Sequence, residues 1–211
     1  MKYVIKSVVI TIFFTIALFA QGFKVKASGE QNFSFEDTKG RNQASFFSTT
    51  PLEDITGLTN RVTGNATFNV SDINTLKGTI TIPVASLKTG IDLRDEHLRS
   101  ANWLDASSYP EITFVVKSVS DVKQVADNKL EAKVTGDFSV HGVTKEVTAN
   151  VTFTYLDASE ETKKRAPGDL LGVSAKFNIK LSDFEVDNMI LGQKVSDDIE
   201  VSANIVGSNA K

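Results

Sequence analysis

The sequence predicts an all-β protein, either a closed antiparallel barrel or a sandwich, built as a single domain with one short helix. Apolar and polar residues alternate with a period of two in roughly eight or nine stretches, each with one apolar face. The connections between them are mostly short and contain Gly, Asn or Asp, as hairpin turns do. The 211-residue chain has no cysteine, so its stability must come from a buried core rather than from disulfides.

The most regular alternation predicts a β-hairpin. Residues 130–140 alternate almost without exception, and residues 147–155 repeat the pattern. Gly142 interrupts it, so we expect the chain to turn at residues 141–144. The remaining predicted strands are, in chain order, residues 32–36, 43–48, 66–70, 80–84, 112–116, 173–181 and 199–205.

Three other segments depart from the strand pattern. Residues 91–102 predict a short helix with Ile91, Leu93, His97 and Leu98 partly facing inward. Residues 157–169 are strongly polar and predict a solvated surface loop. The loop that contains Met189 is unusually apolar, which fits either a lid at the mouth of a barrel or a loop packed beneath it.

The N-terminus predicts a signal peptide, residues 1–27, followed by a single domain, residues 28–211. Lysines precede an apolar run over residues 8–20 that is too short to cross a bilayer as a stable helix. Small residues favour cleavage after Ala27, with Ala20 as the second choice. An uncleaved membrane anchor is the alternative. We therefore expect a periplasmic or secreted protein without stable membrane insertion after cleavage.

Charge argues against a nucleic-acid partner. Residues 1–27 hold four lysines and no acidic residue, which leaves 19 basic against 26 acidic residues and a net charge of −7 in the predicted mature chain. Such a surface repels phosphate backbones.

Few residues suit catalysis or metal binding. The chain has two histidines, and His141 falls in the predicted turn, where we expect its ring to bond to the backbone. His97 follows Arg94, Asp95 and Glu96, but adjacent residues point in different directions and cannot all reach one ion. We expect instead a structural network in which Arg94 binds a carboxylate through two hydrogen bonds and His97 caps backbone groups. No catalytic or metal-binding residue is predicted, and no cofactor is required. An enzyme using Arg94, Asp95 and His97 is the least favoured alternative.

The interior of the predicted barrel could be packed or hollow. Small inward residues, such as Ala132, Ala149, Ala175 and Ala203, alternate with large ones, such as Phe138. This pattern permits a long apolar cavity without requiring one, so the pattern alone leaves both states open.

Four segments resemble the YceI-like family. They are SLKTG from Ser86, RDEHLRSANWLDASSYPEITF from Arg94, VTGDFSVHGVTKEV from Val134 and SAKFNIKLSDFEVD from Ser174. The resemblance implies an extended, eight-stranded, lipocalin-like antiparallel barrel with a short helix, exported to the periplasm, whose interior holds an isoprenoid chain. The chain departs from the family at Lys180 and Leu181, where many members place an arginine. Residues 45–53 also lack a histidine that is common in other members.

The sequence and the resemblance together predict a lipid-binding protein rather than an enzyme. It would hold a polyisoprenoid or isoprenoid quinone for transport, storage or sequestration. The alternative is an envelope or stress-related interaction module with a filled core that acts through its surface. The residues expected to contact the lipid are Phe68, Ile80, Ile82, Phe114, Phe138, Val151, Phe153, Phe177, Ile179, Val201 and Ile205, with Trp103 at one end and Met189 in the lid.

Overall fold

The alternating stretches form one antiparallel sheet in the computed structural model, which describes residues 21–210. The apolar run of the predicted signal peptide lies outside the described residues. Within the described range the strands are β1 (Glu30–Ser34), β2 (Gln43–Ser48), β3 (Ile55–Thr59), β4 (Thr63–Asn69), β5 (Asp72–Pro83), β6 (Glu111–Ala126), β7 (Lys129–Val140), β8 (Val143–Leu156), β9 (Leu170–Lys180) and β10 (Asp198–Ser208).

Eight of these strands close into a barrel in the order β1-β4-β5-β6-β7-β8-β9-β10, and β1 pairs with β10 through Ser34 and Ser208. The rest of the same edge of β10 pairs with β2, and β3 adds to β2. The predicted eight-stranded antiparallel barrel is therefore confirmed.

Helical structure within residues 21–210 is limited to the short helices α1 (Asp92–Arg99) and α2 (Glu160–Lys163) and to the 3-10 turns Val84–Ser86 and Leu181–Phe184. Helix α1 is shorter than predicted, because the chain leaves helical geometry at Ser100 (φ −72°, ψ 165°). The polar loop predicted after β8 contains α2. No helix in the described range is long and apolar enough to cross a bilayer.

The predicted hairpin is β7 and β8. Val140 pairs with Val143, and both intervening residues have positive φ, 52° at His141 and 75° at Gly142. Two residues of positive φ match the right-handed twist of the flanking strands, which is why a glycine is found here. The His141 ring bonds to the backbone as expected, with Nδ1 3.1 Å from the carbonyl oxygen of Phe184.

A buried asparagine strengthens the closure of the barrel, where the β1–β10 ladder is very short. The Asn42 amide nitrogen donates to the carbonyl oxygens of Phe35 (2.8 Å) and Val206 (3.1 Å). Its carbonyl oxygen accepts from the backbone N–H of Val206 (2.8 Å) and from Arg165 (2.9 Å). The side chain thus satisfies backbone groups for which the sheet supplies no partner.

Aromatic side chains fill one end of the barrel, which we call the closed end. The rings of Phe33 and Phe68 stack with centroids 5.7 Å apart, and Tyr155 meets Phe33 edge-on at 5.6 Å. Phe23 completes the cluster and is 5% exposed. It belongs to a segment assigned by the sequence to the signal peptide, yet its backbone N–H donates to the carbonyl of Val70 (2.8 Å).

Candidate functional site

The other half of the barrel is hollow. A cavity of about 440 Å³, the outer chamber, opens at the end opposite the closed end, which we call the mouth. Strands β2, β3, β5, β6, β7, β9 and β10 contribute to its walls, and α1 and the segment before β10 border its rim. The side chains along the walls are almost all apolar, so the chamber suits an apolar molecule.

A second cavity, the inner chamber, continues the outer one toward the closed end. Its volume is about 120 Å³. The residues that line both chambers are Ala44, Ile82, Ile112, Phe138 and Val201. The two chambers therefore adjoin at these shared residues and together give one long apolar space inside the barrel.

A row of alanines keeps the inner chamber open. Ala203 of β10 pairs with Ala175 of β9 on one side and with Ala44 of β2 on the other, and all three line the chamber. Three neighbouring strands therefore present only methyl groups at the same level of the barrel. Gly136 does not add open space in this way. The ring of Phe114 occupies the space where a side chain on Gly136 would lie.

Polar side chains are found at the mouth, where they form a chain of hydrogen bonds. Thr89 donates its backbone N–H and its hydroxyl to Asp95 Oδ1 at 2.6 and 2.7 Å. Arg94 in turn donates Nε–H to Thr89 Oγ1 at 3.0 Å. Asp95 is 1% exposed. Burial acts to raise the pKa of Asp95, but the hydrogen bonds from Thr89 and the charge of Lys88 outweigh it and hold the pKa below its ordinary value.

This network differs from the one expected from the sequence. Arg94 does not bind a carboxylate through two hydrogen bonds, because its Nε and Nη2 groups contact Thr89 instead. The carboxylate oxygen that lies near the guanidinium, Glu53 Oε1, is 3.8 Å from Nη1. The expected capping role of His97 was also wrong. Its carbonyl accepts from Ser100 (2.7 Å from Oγ), while its ring lines the outer chamber. Within residues 21–210 no cluster of three or more metal-ligating side chains is found.

Most residues predicted to contact the lipid lie in the chamber walls. The predicted residues in the outer chamber are Ile82, Trp103, Phe138, Ile179 and Val201. Those in the inner chamber are Ile80, Ile82, Phe114, Phe138, Val151, Phe153, Phe177, Val201 and Ile205.

Two predicted residues lie outside both chambers. Phe68 faces inward as its strand pattern indicates, but it is 1% exposed and packs within the closed end. Met189 is 93% exposed, and its neighbour Ile190 lines the outer chamber instead. Alternation along a strand does not indicate how far along the barrel axis Phe68 lies, and an irregular loop has no periodicity from which the direction of the Met189 side chain could be predicted.

Several wall residues were not among those predicted, including Ala44, Phe46, Ile55, Leu87, Leu104 and Leu181. The alternation in residues 173–181 already placed Leu181 on the inward face. Phe46 lies in a strand where phenylalanines at consecutive positions conceal which one points inward.

Comparison with known proteins gives the same architecture. A family model described as the YceI-like domain matches residues 23–207. This chain belongs to the YceI-like family. Among YceI-like relatives, the UPF0312 protein of Vibrio campbellii is 30% identical over 155 residues, covering 72% of this chain and 77% of the relative. The UPF0312 protein of Pseudomonas putida GB-1 is 34% identical over 123 residues, and the match spans 59% of that relative's length.

Solved structures share the YceI-like fold. BcnA of Burkholderia cenocepacia has a TM-score of 0.64 at 20% identity, covering 81% of this chain and 99% of BcnA. A polyisoprenoid-binding domain from Saccharophagus degradans has a TM-score of 0.62 at 15% identity, covering 87% of this chain and 100% of that domain. At these identities the likeness concerns the fold.

Proposed function

We propose that this protein is an exported carrier that binds one long apolar chain, an isoprenoid lipid, inside its barrel. The observation that carries the proposal is the pair of adjoining apolar chambers inside the barrel, which share five lining residues. A polyisoprenoid-binding domain of the same fold adds support for the class of ligand. Transport, storage and sequestration all require this binding step.

The binding energy comes from removing the chain from water. Each buried methylene contributes about 0.8 kcal/mol, so affinity grows with the length of chain that fits the pocket. The titratable side chains that line the chambers, Glu53, Arg94, His97 and Lys194, are found at the mouth, and the walls described beyond them carry no titratable group that could act on the chain. The protein would therefore bind its ligand without reaction, and without a cofactor.

The filled-core interaction module is less favoured, because a close-packed core has few voids larger than a water molecule. The outer chamber alone measures about 440 Å³.

Mass spectrometry of an organic extract tests the proposal. The protein is purified from its own host without detergent, extracted, and compared with an extract of the heat-unfolded, washed protein. We expect an isoprenoid lipid in near-stoichiometric amount from the folded protein alone. Absence of any lipid, together with failure to bind geranylgeraniol added to the purified protein, would overturn the proposal.

A further inference from the structure

The position of the polar side chains in the pocket determines where a polar head group of the ligand can bind. Beyond the mouth, the walls of both chambers are almost entirely apolar, and Leu181 and Ile179 line the outer chamber there. A polar head group placed deep inside would lose its hydrogen bonds to water without replacement, which costs several kcal/mol on the scale of about 2–7 kcal/mol for an unpaired polar group. The ligand must therefore enter tail first and leave its head at the mouth.

At the mouth, one cation is held in a fixed orientation. The Arg94 guanidinium uses Nε and Nη2 to contact Thr89, at 3.0 and 3.4 Å. Thr89 is itself fixed by the buried Asp95 carboxylate. The arginine side chain is 25% exposed and lines the outer chamber, and Nη1 makes neither of its two hydrogen bonds to Thr89.

A carboxylate already lies near this arginine. Glu53, from the loop between β2 and β3, has Oε1 3.8 Å from Arg94 Nη1, which is too long for a hydrogen bond. The Glu53 side chain is 67% exposed and also lines the chamber. It is thus a weakly held anion that a ligand anion could displace, since exposed ion pairs contribute little to stability.

From this arrangement we infer that the mouth selects lipids with an anionic head group, a carboxylate or a phosphate, which binds Arg94 in place of Glu53. His97 and Lys194 line the same chamber and add hydrogen-bond donors beside the head group. The inference rests on the proposed function, because it assigns the head of a ligand whose tail fills the barrel.

Three ligands that share one tail isolate the contribution of the head group to the affinity: geranylgeraniol, geranylgeranyl phosphate and geranylgeranoic acid. Trp103, the one tryptophan of the chain, lines the outer chamber, so its fluorescence reports occupancy directly. We expect the phosphate, the acid or both to bind roughly tenfold or more tightly than the alcohol, as one added charged hydrogen bond gives.

Three variants locate the effect. Arg94→Gln should abolish the preference for the anionic lipid over the alcohol, and Glu53→Gln should increase it several-fold because the competing carboxylate is gone. Arg99→Gln removes the same charge from the same helix outside the chamber lining and should keep the parent preference. Circular dichroism confirms that each variant is folded.

The outcomes are distinct. Equal affinity for all three ligands overturns the head-group inference and leaves the apolar carrier intact, whereas failure of all three to bind overturns the proposed function. A preference that persists in Arg94→Gln overturns the assignment to Arg94.

Discussion

The ring of Phe23 packs against the ring of Tyr155 at the closed end of the barrel, with centroids 5.5 Å apart and planes inclined by 48°. Residues around Phe23 are bonded to the barrel as well. The carbonyl of Gln21 accepts from the N–H of Ile73 at 2.9 Å, and the N–H of Lys24 donates to the carbonyl of Asp127 at 2.7 Å. Cleavage after Ala27 would remove all of these contacts, whereas cleavage after Ala20 would keep them.

We therefore expect the exported form to begin at Gln21, the second of the two cleavage sites considered from the sequence. Intact-mass spectrometry of the exported protein measures this directly. Chains that start at Gln21 and at Ser28 can be compared by urea unfolding, and we expect the shorter one to lose about 3 kcal/mol or more, as for removal of a buried phenylalanine. An exported mass that corresponds to Ser28 would refute this prediction.

Filling the passage between the chambers should block lipid binding more than it affects folding. Ala44→Phe places a ring where both chambers meet, and because the space is empty we expect a stability loss below the roughly 1–3 kcal/mol typical of overpacking. The amount of extracted lipid should fall at least severalfold. Gln43→Phe, which adds the same ring at the exposed neighbouring position of β2, is the control. Unchanged lipid content in Ala44→Phe would show that the tail does not pass this level.

The buried carboxylate at the mouth should make stability depend on pH. Asp95→Asn weakens the hydrogen bonds from Thr89, and we expect a loss of about 1.5–3 kcal/mol in the free energy of unfolding at neutral pH. Because the pKa of Asp95 is lowered by folding, its contribution is present above the ordinary pKa of 3.8 and disappears as the pH falls below that value. Parent and variant should therefore converge in acid.

Glu96→Gln is the matched control for this experiment, since Glu96 is the exposed neighbour of Asp95 in α1. Urea unfolding at a series of pH values provides the measurement. A difference between parent and Asp95→Asn that stays constant down to the acid limit would show that the carboxylate charge plays no part.

Two glycines with similar backbone angles allow the effect of a steric contact on stability to be separated from the effect of backbone strain. Gly142 and Gly29 have nearly equal positive φ, 75° and 71°, but a methyl group on Gly142 would lie 2.4 Å from the Tyr109 ring, whereas nothing lies within 4 Å at Gly29. Both alanine variants pay the backbone cost of about 1 kcal/mol. Gly142→Ala should lose about 1–3 kcal/mol more in urea unfolding. Equal losses of stability in the two alanine variants would mean that the Tyr109 ring moves aside freely. If Gly142→Ala loses more, then adding Tyr109→Ala to that variant should remove the additional loss.

The sequence by itself determined the strands and their faces wherever alternation is uninterrupted. Residues 130–140 show this best, because the faces of a strand follow from its own side chains with a period of two. Strand β3 (Ile55–Thr59) was not predicted, because its own side chains do not show such an alternation. Its inward positions include Gly57 and Thr59, so no apolar stripe is visible, and the ring of Phe46 on the next strand covers Gly57 instead.

Only the tertiary structure decided which half of the barrel is packed and which is hollow. Ala44, Ala175 and Ala203 are far apart in the chain, and they become one row because the registers of β2, β9 and β10 align them. The chain from Asp95 through Thr89 to Arg94 likewise depends on how α1 packs against the loop before it. Periodicity reports the face of each residue but not its level along the barrel axis, and the level is set by pairing between strands that are distant in sequence.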